Sequence, residues 1–102
     1  MYTIKYNEES LQELQEIFDY IAIDSRKRAI DYMEKMSKCI EQLSVFPNIG
    51  SKGKYHEFQE YGIRMLPFEN YLIFYIIKEQ KQEIGIIHVL HGSREYIELF
   101  KQ

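Results

Sequence analysis

Tyr71-Leu-Ile-Phe-Tyr-Ile-Ile77 is followed by Lys78-Glu-Gln-Lys-Gln82 and then by Glu83-Ile-Gly-Ile-Ile-His-Val-Leu-His-Gly-Ser-Arg94. Two runs rich in β-branched and aromatic residues flank a polar stretch, the pattern of an antiparallel strand pair joined by a solvated loop. In the first run Tyr71, Ile73, Tyr75 and Ile77 share one face, and Leu72, Phe74 and Ile76 share the other. A strand apolar on both faces needs cover on both. The second run ends in His91-Gly92-Ser93-Arg94, where apolar residues give way to ionisable ones. Function is expected there.

Upstream, Ile63-Arg64-Met65-Leu66 is a short strand that Pro67 closes, and Phe68-Glu69-Asn70 turns into Tyr71. The stretch from Ser51 to Glu60 is polar and weakly patterned, and reads as a long surface loop. Before it, Ala29, Met33, Met36, Ile40 and Leu43 fall at alternating spacings of four and three, one seam of a helix. Asp24-Ser25 caps that helix, and Arg26-Lys27-Arg28 stand in its first turn against the helix dipole. This basic turn reads as solvated, or as a contact for an acidic partner. An earlier helix carries Leu11, Leu14, Ile17, Phe18 and Ile21 inward, with Gln12, Glu13, Gln15, Glu16 and Asp19 as an acidic outer face. Asn7 offers its N-cap, with Ser10-x-x-Glu13 as a rival capping box. Tyr2, Ile4 and Tyr6 alternate with polar residues as a first strand. Past Arg94, the residues Tyr96, Ile97, Leu99 and Phe100 form a short final helix or tail.

The expected fold is α+β, a single domain over residues 1–102. An antiparallel helical hairpin packs on a mostly antiparallel sheet of about four strands. The hairpin covers one face. Loops and the tail are all that remain for the other, and an uncovered apolar face implies a partner.

Composition narrows the function. Net charge is −3, all of it in residues 1–50, which hold six basic and nine acidic side chains. Bulk electrostatics therefore disfavour a polyanion, and nucleic-acid binding needs a local patch of Lys52, Lys54, Arg64, His91 and Arg94. The single cysteine, Cys39, makes no internal disulfide and fits a reducing cytoplasm. Met1-Tyr2-Thr3-Ile4-Lys5 is not a signal peptide, and no apolar run approaches a membrane span. His56, His88 and His91 lack a metal-ligand spacing, since residues three apart on a strand face opposite ways, so neither metal nor cofactor is expected. Glu57 and Glu60, in the loop before the strands, are candidate general bases. Arg64 on its strand pairs with Glu69 or Glu95, or binds an anion with Arg94 while His91 titrates near neutrality.

Five stretches in order resemble the RelE/ParE superfamily of bacterial type II toxins: the first strand, the hairpin ending in Leu43-Ser-Val-Phe-Pro-Asn-Ile-Gly50, Tyr61-Gly-Ile-Arg-Met-Leu66, Asn70-Tyr-Leu-Ile-Phe-Tyr75, and His88-Val-Leu-His-Gly-Ser-Arg-Glu95. The resemblance implies a growth-inhibiting toxin neutralised by a cognate antitoxin that wraps helices and sheet. Tyr71, Ile73, Tyr75, Tyr96 and Phe100 are then expected to bind antitoxin or target. RelE-like members are ribosome-dependent mRNA endonucleases, often with Tyr-Arg-Leu-Val-Tyr on the central strand. Leu72 stands in place of that arginine and cannot stabilise a developing phosphorane charge. The ending Leu90-His-Gly-Ser-Arg-Glu95 resembles the Leu-His-Gly-x-Arg-Asp of ParE-like members, which inhibit DNA gyrase. The ParE-like reading is favoured. In the RNase alternative, Arg64, His91 and Arg94 are catalytic, with Tyr96 or Glu57 assisting. A degenerate relative that only binds antitoxin is the third reading.

Overall fold

The computed structural model of the chain describes residues 1–101. Its elements are β1 (Thr3–Tyr6), α1 (Glu8–Ala22), α2 (Arg26–Glu41), β2 (Ser51–Lys52), α3 (His56–Tyr61), β3 (Ile63–Phe68), β4 (Tyr71–Lys78) and β5 (Glu83–His91), with short 3₁₀ turns at Gln42–Ser44, Glu79–Lys81 and Ile97–Phe100. The sheet has five strands in the order β1-β5-β4-β3-β2. β1 joins β5 in parallel, and every other pairing is antiparallel. The fold class is as expected; the fifth strand is the two-residue β2, too short to leave a sequence pattern.

The hairpin forms where the seams place it. Asn7 is the N-cap of α1, its Oδ1 accepting the Ser10 N–H at 2.8 Å, and Ser25 caps α2 by accepting the Arg28 N–H at 3.2 Å. The cations that oppose the α2 dipole are offset locally: Lys27 pairs with Asp31, Arg28 lies near Asp24, and Arg26 sits over the Phe18 ring. Ile17, Met36, Ile40 and Leu43 bury themselves against Ile73, Tyr75, Ile84, Ile86 and Val89 on the front face of the sheet.

The back face is covered too, contrary to the expectation of an open apolar face. The supposed loop contains α3, whose Phe58 is fully buried. Phe58 packs with Ile63, Phe74, Leu90 and Phe100, so α3 and the last 3₁₀ turn close this side. Gly62 ends α3 at φ 68°, the left-handed conformation glycine takes without a Cβ clash. β3 runs through Pro67 instead of stopping there. Pro67 pairs with Leu72 on one side, and β2 reaches only Arg64 and Met65 on the other, so its missing N–H breaks no ladder.

β5 is irregular midway. Phe74 pairs with His88 and Tyr75 with Ile86, so Ile87 is an extra residue, a β-bulge. β1 accompanies β5 only from Glu83 to Ile86, because the chain then turns at Asn7 into α1. Among the described residues, the rest of that β5 edge has no strand beside it.

Candidate functional site

The bare edge of β5 is met by α1. Glu13 Oε1 accepts the Val89 N–H at 2.8 Å, and its Oε2 lies 2.8 Å from His88 Nδ1. Both side chains are mostly buried. Glu13 thus takes the place of a strand partner for Val89, and is neither a capping-box acid nor part of a solvated face. A buried backbone N–H left without an acceptor is destabilising, which makes a carboxylate from α1 valuable here. Sequence spacing holds no sign of this contact, since it spans 76 residues.

Beyond Leu90 the strand opens into a small cleft of about 180 Å³. Glu16 and Tyr20 of α1 form one wall, Tyr71 the floor, and His91 and Arg94 the other wall. A tight turn fixes the second wall: Gly92 N–H donates to Asn70 O at 2.7 Å, and Arg94 N–H donates to His91 O at 3.0 Å. Ser93 N–H donates to His91 Nδ1 at 3.2 Å, and Ser93 Oγ lies 2.7 Å from the same nitrogen. Nδ1 is therefore the acceptor in neutral imidazole, and Nε2 carries the proton. The Tyr71 ring meets the imidazole edge-on at 5.3 Å, and burial, then the neighbouring Tyr20, raises the Tyr71 phenol pKa. His91 and Arg94, grouped from sequence, both line this cleft.

Arg64 does not join them. It is two strands away and pairs with Tyr75, level with Ile86 instead of His91. Its guanidinium donates to Gly50 O at 2.7 Å and Asn48 O at 3.5 Å, instead of pairing with Glu69 or Glu95. The Tyr75 hydroxyl works on the same loop, accepting from Gly50 N–H at 2.9 Å and donating to Pro47 O at 2.7 Å. Arg64 and Tyr75 hold the Pro47–Gly50 segment on the sheet. The basic patch of Lys52, Lys54, Arg64, His91 and Arg94 is therefore split.

The expected binding residues need the same correction. Ile73 and Tyr75 are fully buried under the hairpin and Phe100 is buried on the back face, so none offers a surface to a partner. Tyr96 stacks on Phe58 at 6.1 Å as part of the back cover. Tyr71, the other of the five, lines a cleft. Glu60 pairs with His56 on α3, and Glu57 belongs to that helix, away from His91. Leu72 packs among the back-face residues, opposite the side on which Tyr71 meets His91. Among the described residues, no three His, Cys, Asp or Glu side chains converge as metal ligands, and no helix is long and apolar enough to cross a membrane.

A family model described as the ParE toxin of the type II toxin-antitoxin system parDE matches residues 4–96. No curated protein sequence matches. Among solved structures, the chain is similar to one from the chromosomal ParDE toxin-antitoxin system of P. aeruginosa, with TM-score 0.71 and 18% identity over 89% of this chain and 96% of that one. It is also similar to a chain of the intact E. coli RelBE complex, with TM-score 0.63 and 15% identity over 92% of this chain and 100% of that one. A chain of the Mycobacterium tuberculosis RelBE2 complex gives TM-score 0.62 and 16% identity over 88% and 96%. At these identities the structural likeness speaks to the fold.

Proposed function

Because the chain belongs to the ParE toxin family of type II toxin-antitoxin systems, we propose that it inhibits growth by binding DNA gyrase and that a cognate antitoxin protein neutralises it. The observation that carries the choice of target is the dispersal of the candidate RNase residues. Cleaving a phosphodiester needs several cations and an acid–base pair converging on one phosphate. Here Arg64 is occupied with carbonyls two strands away, and His91 and Arg94 share their cleft with Glu13 and Glu16. A phosphate entering the cleft meets one guanidinium and two carboxylates. Leu72, where RNases of the superfamily often carry arginine, is on the opposite face. Binding a protein target asks for none of this convergence.

The antitoxin rests on the family and on the similarity to chains from toxin-antitoxin systems. The mRNA endonuclease remains the second reading. What favours it is the one cleft that brings His91, Arg94 and Tyr71 together, an acid–base group beside an anion binder.

Purified gyrase, supercoiling assayed with and without the antitoxin-free protein, separates these. The expected result is loss of supercoiling with trapped double-strand breaks. Full supercoiling at large molar excess of folded protein, with cleavage of mRNA on ribosomes, overturns the gyrase reading in favour of the second.

A further inference from the structure

His88 and Glu13 are a mostly buried titratable pair that takes no part in binding a target as proposed above, their side chains 17% and 16% exposed. They meet around the edge of the sheet. His88 lies opposite Phe74 of β4, and its ring meets Phe100 edge-on at 5.4 Å, so it belongs to the back face. Ile87 packs on the back face as well, and Val89 on the front. The bulge at Ile87 is what puts two successive residues on one side. Glu13 comes from α1, which packs on the front through Leu14 and Ile17. The two side chains reach each other because β1 accompanies β5 only as far as Ile86.

Their hydrogen bonds fix the protons. An ionised carboxylate only accepts, so His88 Nδ1 carries a proton and donates to Glu13 Oε2 at 2.8 Å, while Oε1 accepts the Val89 N–H. Bonds of this kind are stronger than those between neutral groups. Glu13 also lines the cleft at the end of β5. Glu16 and Tyr20, three and seven residues further along the same side of α1, line it opposite His91 and Arg94.

We propose that His88 and Glu13 are positioning residues that couple the two faces of the sheet. The seat of Phe100 on the back face fixes His88, and His88 fixes Glu13. Glu13 in turn sets how closely the α1 wall of the cleft stands to His91 and Arg94. A change in packing on the back face is thereby felt in the front cleft. Leu90, which packs in the same cluster as Phe100 and precedes His91, is a parallel route. It leads to the β5 wall, so the His88 link is read on the α1 wall. This coupling holds whichever target the protein binds.

The test is NMR of the ¹⁵N-labelled full chain at neutral pH. In Glu13→Gln the amide oxygen stays on the Val89 N–H, which can only donate, and the amide NH₂ turns to His88. Nδ1 must then accept, so the His88 imidazole is expected to switch from a protonated Nδ1 to the Nε2–H tautomer, read in long-range ¹H–¹⁵N spectra. A His88 ring unchanged in that variant overturns the proposal. Phe100→Leu, which keeps its site apolar, is expected to move the amides of Glu13, Glu16 and Tyr20. In a His88→Phe background, which keeps a ring against residue 100 without the donor, it is expected to leave them in place. Equal movement in both backgrounds, or none in either, overturns the coupling. Glu13→Gln leaves the back-face packing intact, so its tautomer result decides the proposal even where Phe100→Leu does not fold.

Discussion

The front face of the sheet packs tyrosines, and the back face packs phenylalanines. Tyr2, Tyr6, Tyr32, Tyr71 and Tyr75 border or belong to the core beneath the hairpin, with Phe68 beside them, whereas Phe58, Phe74 and Phe100 fill the other side, with Tyr96 among them and Tyr55 at its edge. Phenylalanine brings only area and ring geometry, so the back face is a sealed aromatic plug. Tyrosine brings a hydroxyl that must find a partner when buried. On the front face the phenols tie down loops, as Tyr75 does, or line clefts, as Tyr20, Tyr32 and Tyr71 do. The difference separates a face closed by apolar rings from one whose rings also carry hydroxyls to loops and clefts.

The largest expected effect falls on the back face. Phe58 touches Phe74 and Phe100 at ring distances of 5.7 and 4.9 Å and is fully buried. Phe58→Ala should cost about 3–5 kcal/mol, read as a lower urea midpoint. A loss near zero would mean that α3 does not cover the sheet and that the face is open after all. Next comes Glu13→Ala, which strips the acceptor from Val89 N–H and is expected to cost about 1–3 kcal/mol. Glu13→Gln keeps one acceptor and should recover part of it. Equal losses in the two variants would show that the α1–β5 link depends on charge alone.

These two residues also mark what the sequence could say. Both strands of the β4–β5 pair and both hairpin helices announce themselves through periodicity, because each buries a regular stripe. Phe58 does not, since α3 is six residues long and buries a single side chain among polar neighbours. Glu13 looks like any other solvated carboxylate until the β5 bulge and the end of β1 leave Val89 unpaired. That His91 and Arg94 lie near each other was legible because one strand end carries both, whereas the approach of Tyr71 comes from the β4–β5 register. Arg64 misled, because strand membership alone does not tell which level of the sheet a residue occupies. Ile73 and Tyr75 misled in a similar way: alternation gives the face but not what lies on top of it.

A smaller effect should follow pH. Burial is the leading cause of the raised pKa of Tyr6, Tyr32, Tyr71 and Tyr75. Unfolded tyrosine titrates near 10. Below that pH both states keep the proton and the stabilisation is complete. Above it the unfolded chain ionises first, so stability falls as pH rises through the folded values, about 12 for Tyr32. Urea midpoints measured from about pH 9 to about pH 12 should decline, and Tyr32→Phe should flatten the decline. An identical slope in that variant would place the alkaline sensitivity elsewhere on the front face.

The smallest stability effect is expected at the exposed cleft at the end of β5. His91 and Arg94 are exposed, and their alanine substitutions should shift stability by no more than about 0.5 kcal/mol. Any change in toxicity then reports on contact and not on folding. On the gyrase reading the two side chains contribute at most to a binding surface, so the double variant should keep gyrase inhibition within about 10-fold, the scale of two rim contacts. On the RNase reading the same variant loses its acid–base group and its anion binder together, and cleavage should fall by about 100-fold or more. Toxicity that vanishes while the fold and antitoxin affinity persist would move function from the tyrosine-lined front face as a whole to this one cleft at the end of β5.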